Sequence, residues 1–157
     1  MSKSESEPEQ KQTDPLPYAV TLEVRDRCLC LSLQRAARAA ARQFDDALRP
    51  LGLTNGQFSL LLSLNRPEPA PIGAIALLLA MDRTTLTANL KPLERRRLVL
   101  SLTDPTDLRR RRLRLTPAGR RLLAAALPLW RRTEAAVERQ VGEVDAPRLR
   151  ELLTAFS

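Results

Sequence analysis

In the central third of the chain, apolar residues predict two short helices in succession. The apolar run at 72–79 predicts the first helix, and Leu86, Leu90 and Leu93 recur at the spacing of a second. Asp82 precedes the second helix and is typical of an N-cap, because its carboxylate accepts a hydrogen bond from a free amide of the first turn. Two short helices joined by a turn of a few residues predict a helix-turn-helix.

Beyond the second helix, two extended segments flank a turn that is rich in proline and aspartate. The apolar run at 98–103 predicts one strand, residues 104–107 predict the turn, and residues 108–115 predict the other strand. In the second strand Leu113 and Leu115 alternate with arginines, so one face belongs to the core and the other is cationic. A basic hairpin beside a helix-turn-helix predicts a winged helix-turn-helix.

Helical patterns flank this region on both sides. Residues 20–48 predict one long helix, residues 117–141 predict a second, and Asp145 is placed to cap a last one. The winged helix closes its own core, so the apolar stripes of these flanking helices lack a local partner. They are predicted to form a dimerisation module. The expected fold class is mainly α (α+β).

The ends of the chain and its composition predict the domain layout. Residues 1–19 lack apolar periodicity and predict a flexible tail, and residues 20–157 form one domain. Within that domain the winged helix occupies about 50–121, and the dimerisation helices occupy about 20–48 and 117–156. No apolar run approaches the ~20 residues of a membrane span, and no secretory signal is evident. We therefore expect a cytoplasmic protein without a membrane partner.

Positive charge is concentrated in the predicted winged helix. Residues 82–121 contain twelve Lys and Arg against four Asp and Glu, a net charge of +8, and the whole chain also carries +8. A phosphate backbone explains such a local excess, and small hydroxylated residues on a helix allow close approach to base edges. The predicted DNA contacts are cationic or hydroxylated residues of the second helix and the wing: Arg83, Thr84, Thr85, Thr87, Lys91, Arg95, Arg109, Arg110, Arg111 and Arg112.

Three short motifs occur in a characteristic order. They are Asp82-Arg-Thr-Thr-Leu-Thr, then Asp104-Pro-Thr-Asp107 followed by Arg109, then a Leu-Thr pair followed by Gly119. This order resembles the MarR family of bacterial transcriptional regulators. The resemblance implies an obligate winged-helix homodimer that binds a pseudo-palindromic operator in double-stranded DNA and acts as a repressor. It further implies release by a small-molecule inducer or an oxidant, and an Arg109 side chain that enters the minor groove.

The chain departs from the family pattern at several positions. Ala80 and Arg97 stand where the family usually has glycine, in the helix-turn-helix turn and after the second helix. Leu108 stands where a second wing arginine is frequent, and Ser101 stands at another position that is often arginine. The base contacts of the family therefore cannot be carried over unchanged.

Cys28 and Cys30 are the two cysteines of the chain. The two cysteines are two residues apart on one predicted helix, so their side chains point away from each other. This is poor geometry for a disulfide. Cys30 matches the reactive cysteine of the peroxide-sensing branch of the family. That branch holds the oxidised sulfur with tyrosines, whereas this chain has Gln34 and Phe44 at the matching positions. We therefore expect buried cysteine packing, and oxidation that is not the main signal.

Catalytic and cofactor-binding motifs are missing from the sequence. It has no histidine, only five glycines and no phosphate-binding glycine-rich loop, so no enzymatic activity, cofactor or metal is expected. Two alternatives to an operator-specific regulator stay open at this point. One is a sequence-indifferent architectural DNA-binding protein, and the other is a peroxide-sensing repressor that acts through Cys30.

Overall fold

The computed structural model describes residues 15–142 and 144–156. The chain divides into two compact units, Met1–Ala37 and Arg38–Ser157, and the division falls within the second helix. In the first unit, helix α1 (Tyr18–Arg27) precedes the start of helix α2 (Leu29–Leu48). The predicted tail at 1–19 lies largely outside the described residues.

A break at Cys28 interrupts the long helix that was predicted over 20–48, so that prediction is wrong at this point. The backbone of Cys28 is extended, with ψ at 105°, and its amide donates to the Val24 carbonyl as the last bond of α1. The Cys28 sulfur then accepts a hydrogen bond from the Leu31 amide at 3.4 Å. Cys28 thus ends one helix and caps the next. Apolar periodicity does not report such a break, because the stripe continues across it.

The second unit contains the rest of α2 and all remaining elements. In chain order they are a 3-10 turn (Arg49–Leu51), α3 (Asn55–Ser63), β1 (Ala70–Pro71), α4 (Ile72–Leu78), α5 (Arg83–Arg95), β2 (Val99–Thr103), β3 (Arg111–Leu115), α6 (Pro117–Gln140) and α7 (Ala146–Thr154). Helices dominate, and the strands form one small antiparallel sheet in the order β1-β3-β2. The predicted fold class, a mainly α winged helix-turn-helix, is confirmed.

Strand β1 was not predicted. Its two residues pair with β3 through Ala70 opposite Leu113 and Pro71 opposite Arg112. A two-residue strand that contains proline has no detectable alternation, so only the pairing with β3 identifies it. This pairing places the start of α4 beside the wing, which we define as β2, β3 and the loop 104–110 between them.

Polar side chains cap the N-termini of α3, α5 and α6. Asp82 accepts a hydrogen bond from the amide of Thr85 at 2.8 Å, and Thr116 accepts one from Gly119 at 2.9 Å. At α3, Thr54 forms a reciprocal capping box with Gln57. These caps satisfy amides that lack partners within their helices, and the predicted cap at Asp82 is confirmed.

The core packs beneath α5. Leu86, Leu90 and Leu93 are buried, as their helical spacing predicted, and they join Leu61 of α3 and Leu113 of β3 in one apolar cluster. Burial of this stripe fixes the rotation of α5 about its axis. The residues on the opposite side of the helix must therefore face outward.

Among the residues that the structure describes, two other than glycine have left-handed backbone conformations. Ala80 has φ of 47° in the turn between α4 and α5, and Arg97 has φ of 56° just after α5. These are the two positions at which the family pattern favours glycine. A Cβ in this region of the backbone costs roughly 1–2 kcal/mol, so both turns are strained.

Replacing Ala80 or Arg97 with glycine is therefore expected to stabilise the protein. Relief of strain exceeds the extra entropy of a glycine in the unfolded chain, so each change should raise the free energy of unfolding by about 0.5–1 kcal/mol. Urea unfolding measures the change. Ala124→Gly on the exposed side of α6 is the control and should lower the same quantity by about 1 kcal/mol. A loss at Ala80 as large as at Ala124 would contradict the strain argument.

Candidate nucleic-acid interface

The outward side of α5 carries a contiguous polar surface, called here the α5 face. Arg83, Thr84, Thr87, Ala88 and Lys91 line a shallow depression of about 340 Å³ on it. Small side chains lie in the middle of this surface, and cations lie at both ends. The structure thus brings together four of the predicted contact residues of this helix. Such a surface is suited to close approach by a groove of double-stranded DNA.

The hydroxyl groups on α5 differ in what they bind. Thr85 donates its hydroxyl to the second carboxylate oxygen of Asp82 at 2.6 Å, so it is part of the N-cap. These hydrogen bonds from Thr85 lower the pKa of Asp82, because they favour its ionised form. Thr87 donates to the Arg83 carbonyl at 2.7 Å, which leaves its oxygen lone pairs free to accept. Thr87 is thereby equipped for base contact, whereas Thr85 stabilises the helix start.

A cleft joins the α5 face to the wing. Its volume is about 510 Å³, and its walls are Arg83 and Thr87 of α5, the residues 71–74 at the start of α4, and Arg109–Arg111 of the wing. Residues that lie far apart in sequence thus meet on one side of the molecule. Four arginines around one cleft create a positive potential that attracts a polyanion.

The exposed wing arginines are held by weak surface contacts. Arg110 forms an ion pair with Asp107 at 3.1 Å in which the Arg110 side chain is 74% exposed. Arg111 donates to the Ser101 hydroxyl at 3.3 Å. Exposed pairs of this kind contribute little to stability. Their arginines therefore remain available for phosphate groups.

Arg112 does not share this exposure. Its Nε donates to the Asp104 carboxylate at 2.7 Å, and its side chain is 33% exposed against 5% for Asp104. The Arg112 guanidinium, with help from Thr106, holds the pKa of Asp104 well below its usual range. The structure therefore separates Arg112 from the three arginines before it, although the sequence predicted all four as DNA contacts.

Lys91 and Arg95 follow each other by one turn on α5, but only Lys91 lines the α5 face. Arg95 is exposed in the last turn of the helix.

Asp104 and Asp107 were not among the predicted site residues. Their sequence positions could have indicated a structural role, because two carboxylates inside the most basic segment of the chain oppose its attraction for DNA.

The two cysteines are placed differently from expectation. Cys30 is exposed and Cys28 is partly buried, so the expectation of buried cysteine packing is wrong for Cys30. The residues also do not share one helix, because Cys28 lies in the break before α2. Gln34 donates to the Cys30 sulfur at 3.4 Å. Within the described ranges, no group of three or more acidic and cysteine side chains is arranged to hold a metal ion.

The geometry defines a class of protein. A helix-turn-helix whose second helix presents a cationic and hydroxylated face, flanked by a basic wing, is a winged helix-turn-helix of the DNA-binding type. Residues 53–110 match the model of the MarR family. None of the helices in the described residues is long and apolar enough to cross a membrane.

Known proteins of similar sequence and structure agree with this class. The M. tuberculosis transcriptional regulator MosR, solved in complex with DNA, is 39% identical, with a TM-score of 0.74 over 83% of this chain and 93% of that one. The repressor CouR, solved with p-coumaroyl-CoA, is 29% identical, with a TM-score of 0.74 over 85% of this chain and 94% of that one.

A Thauera aromatica protein assigned to the regulation of the hcr operon is 33% identical over 109 residues, which are 69% of this chain. The matched part spans 61% of that relative, which is less than two thirds of its length. Taken with the family model and the solved structures, these similarities establish that the chain belongs to the MarR family. The resemblance inferred from its three motifs is confirmed. The relatives are transcriptional regulators.

Proposed function

We propose that this protein is a homodimeric, operator-specific DNA-binding regulator that acts as a repressor and is released by a small ligand. The observation that carries the proposal is the continuity of the α5 face with the arginine-lined cleft of the wing. The α5 face offers hydrogen-bonding groups for base edges, and the arginines of the wing offer positive charge for phosphates. Sequence-specific binding requires both kinds of contact. MosR and CouR, both solved with DNA, support this proposal by similarity.

Exposed apolar side chains support a homodimer. In the first unit, Tyr18, Val24 and Leu29 are each more than half exposed. In the second unit, Leu152 and Phe156 of the C-terminal segment are 51% and 65% exposed. A folded chain seldom leaves so many large apolar residues in water unless another molecule covers them. A second copy of the chain accounts for both surfaces, as the sequence predicted for the flanking helices.

A dimer with two-fold symmetry carries two α5 faces. They would address half-sites about one helical turn, roughly 10 base pairs, apart, so the operator is expected to be pseudo-palindromic. CouR has been solved both with a 23-mer DNA duplex and with p-coumaroyl-CoA. Its two bound forms support release by a small organic ligand as the mode of regulation proposed for this chain.

Footprinting on the DNA that flanks its own gene tests the function. We expect one protected pseudo-palindrome and an affinity for it about 10³-fold or more above that for scrambled duplex. Sedimentation at micromolar concentration should show a dimer without a folded monomer. Equal affinity for operator and scrambled DNA would identify the architectural alternative instead. A folded monomer that still binds the operator tightly would contradict the dimer.

A further inference from the structure

We propose that Asp104 is a positioning residue that acts through Arg112 to fix the wing in its DNA-binding conformation. Arg112 is thereby assigned to an ion pair within the wing and not to a DNA phosphate. The inference rests on the proposed DNA-binding function, and it specifies how one part of that interface is built.

The Asp104 carboxylate is the centre of a buried polar cluster. Asp104 is buried, although it lies between a strand and a solvent-facing loop. One carboxylate oxygen accepts from the Arg112 Nε at 2.7 Å. The other accepts from the amide and the hydroxyl of Thr106, at 2.9 and 2.7 Å. Three charge-assisted hydrogen bonds on one carboxylate are strong and geometrically selective.

The cluster closes the loop that carries the exposed arginines. The Asp104 amide donates to the Arg110 carbonyl at 2.9 Å, and the Arg110 amide donates to the Asp107 carbonyl at 2.8 Å. The Asp107 carboxylate also accepts from the Arg109 amide at 3.0 Å. The backbone at Arg109 and Arg110 is therefore tied to Asp104 at the end of β2, while the Arg112 side chain ties Asp104 to β3.

Electrostatics alone would disfavour an acidic residue here. A carboxylate in the most basic part of the chain lowers the potential that attracts DNA, so its presence needs another physical reason. The three hydrogen bonds to the buried carboxylate supply that reason, because they join the loop to β3. Without the carboxylate, the charge of Arg112 would lose its partner. If the carboxylate acted only through its charge, neutralising Asp104 would tighten DNA binding. If it positions the wing, neutralising it weakens DNA binding.

The test compares Asp104→Asn, Arg112→Gln and the double variant on operator DNA across a salt series. Asp104→Asn raises the net charge by one, yet we expect its affinity to fall about tenfold, which is about the cost of ordering one backbone residue of a loosened loop before DNA can bind. Its salt dependence should stay that of the wild type, because the loop makes the same phosphate contacts once it has become ordered on DNA. Arg112→Gln should behave alike, and the double variant should be no weaker than either single one.

Two results would overturn the assignment. Tighter binding by Asp104→Asn would show that the carboxylate acts only through its charge. A salt slope that is flatter by about one unit in Arg112→Gln would show that Arg112 contacts a phosphate. Thr106→Val removes one hydrogen bond to Asp104 without touching the ion pair or the core. It should weaken operator binding in the same salt-independent way. This variant tests the proposal if the other variants fold poorly.

Amide hydrogen exchange without DNA separates this proposal from the proposed function. In Asp104→Asn the amides of Thr106, Arg109 and Arg110 should exchange at least tenfold faster, while those of Leu60 and Leu61 in α3 keep their wild-type rates. Unchanged exchange in the loop would refute the positioning role even if the protein binds DNA. Faster exchange in a protein that binds no operator would refute the function and leave the structural role intact.

Discussion

Replacing Gly119 with alanine is expected to lower the free energy of unfolding by about 3 kcal/mol, with a fall of roughly 10 °C in melting temperature. A Cβ at this position would lie 2.2 Å from the Leu98 carbonyl oxygen and 3.1 Å from a methyl of Leu115. The first of these atoms belongs to the backbone, so no side chain can rotate away. Either α6 or the segment before β2 must move.

The same carbonyl joins two further interactions, which explains the size of the expected loss. It accepts a hydrogen bond from the Thr116 amide at 3.0 Å, and it shares the Thr116 hydroxyl proton with the Arg97 carbonyl, at 3.2 and 2.9 Å respectively. Thr116 in turn caps α6 through the Gly119 amide. A displacement of Leu98 would therefore weaken the cap and the start of β2 together.

Gly73→Ala is the matched control, because it makes the identical chemical change in another helix. Nothing lies within 4 Å of a Cβ at Gly73, so alanine should raise the free energy of unfolding by about 0.5–1 kcal/mol through its helix propensity. Thermal or urea unfolding of both variants measures the difference. If Gly119→Ala were as stable as Gly73→Ala, the close approach between α6 and Leu98 would be refuted.

Replacing Thr87 with leucine is expected to abolish most of the preference for the operator. Leucine fills the centre of the α5 face and removes an oxygen that is free to accept from a base, while the net charge is unchanged. Operator affinity should fall by about 1–3 kcal/mol for each lost base contact. Affinity for scrambled duplex should stay the same, because the phosphate contacts are untouched.

Replacing Arg110 with alanine should give the complementary pattern. Its guanidinium is exposed in the wing cleft, so operator and scrambled affinities should fall together and the salt slope should flatten by about 0.9. Arg109→Ala should show both effects if its side chain enters the minor groove, where narrow A·T-rich segments attract arginine. Arg132→Ala is the control for net charge. It removes one arginine from an exposed position on α6 that lines neither the α5 face nor the cleft.

Binding of these variants to operator and scrambled duplexes across a salt series tests the separate roles of the α5 face and the wing. The same pattern of loss for Thr87→Leu and Arg110→Ala would refute the division of labour between the α5 face and the wing. Unchanged binding in all of them would refute the assignment of this surface to DNA.

Much of this protein's architecture was predictable because it depends on neighbours in sequence. The caps at Asp82 and Thr116, the buried stripe of α5 and the alternation in β3 all arise from contacts within one or two turns or along one strand. Periodicity and capping chemistry report such contacts directly. Once the stripe of α5 is buried, Thr87 and Lys91 have to face outward, so the centre of the candidate interface follows from the sequence as well.

Other features were decided only by the tertiary structure, because they depend on which distant atoms meet. Four adjacent arginines look equivalent in sequence, yet the fold pairs Arg112 with the buried Asp104 and leaves Arg109–Arg111 around a cleft. The short strand at Ala70 exists only through its pairing with Leu113. The break at Cys28 is hidden because an apolar stripe continues across it. In each case the deciding interaction is non-local or interrupts a repeating pattern, and a repeating pattern cannot encode it.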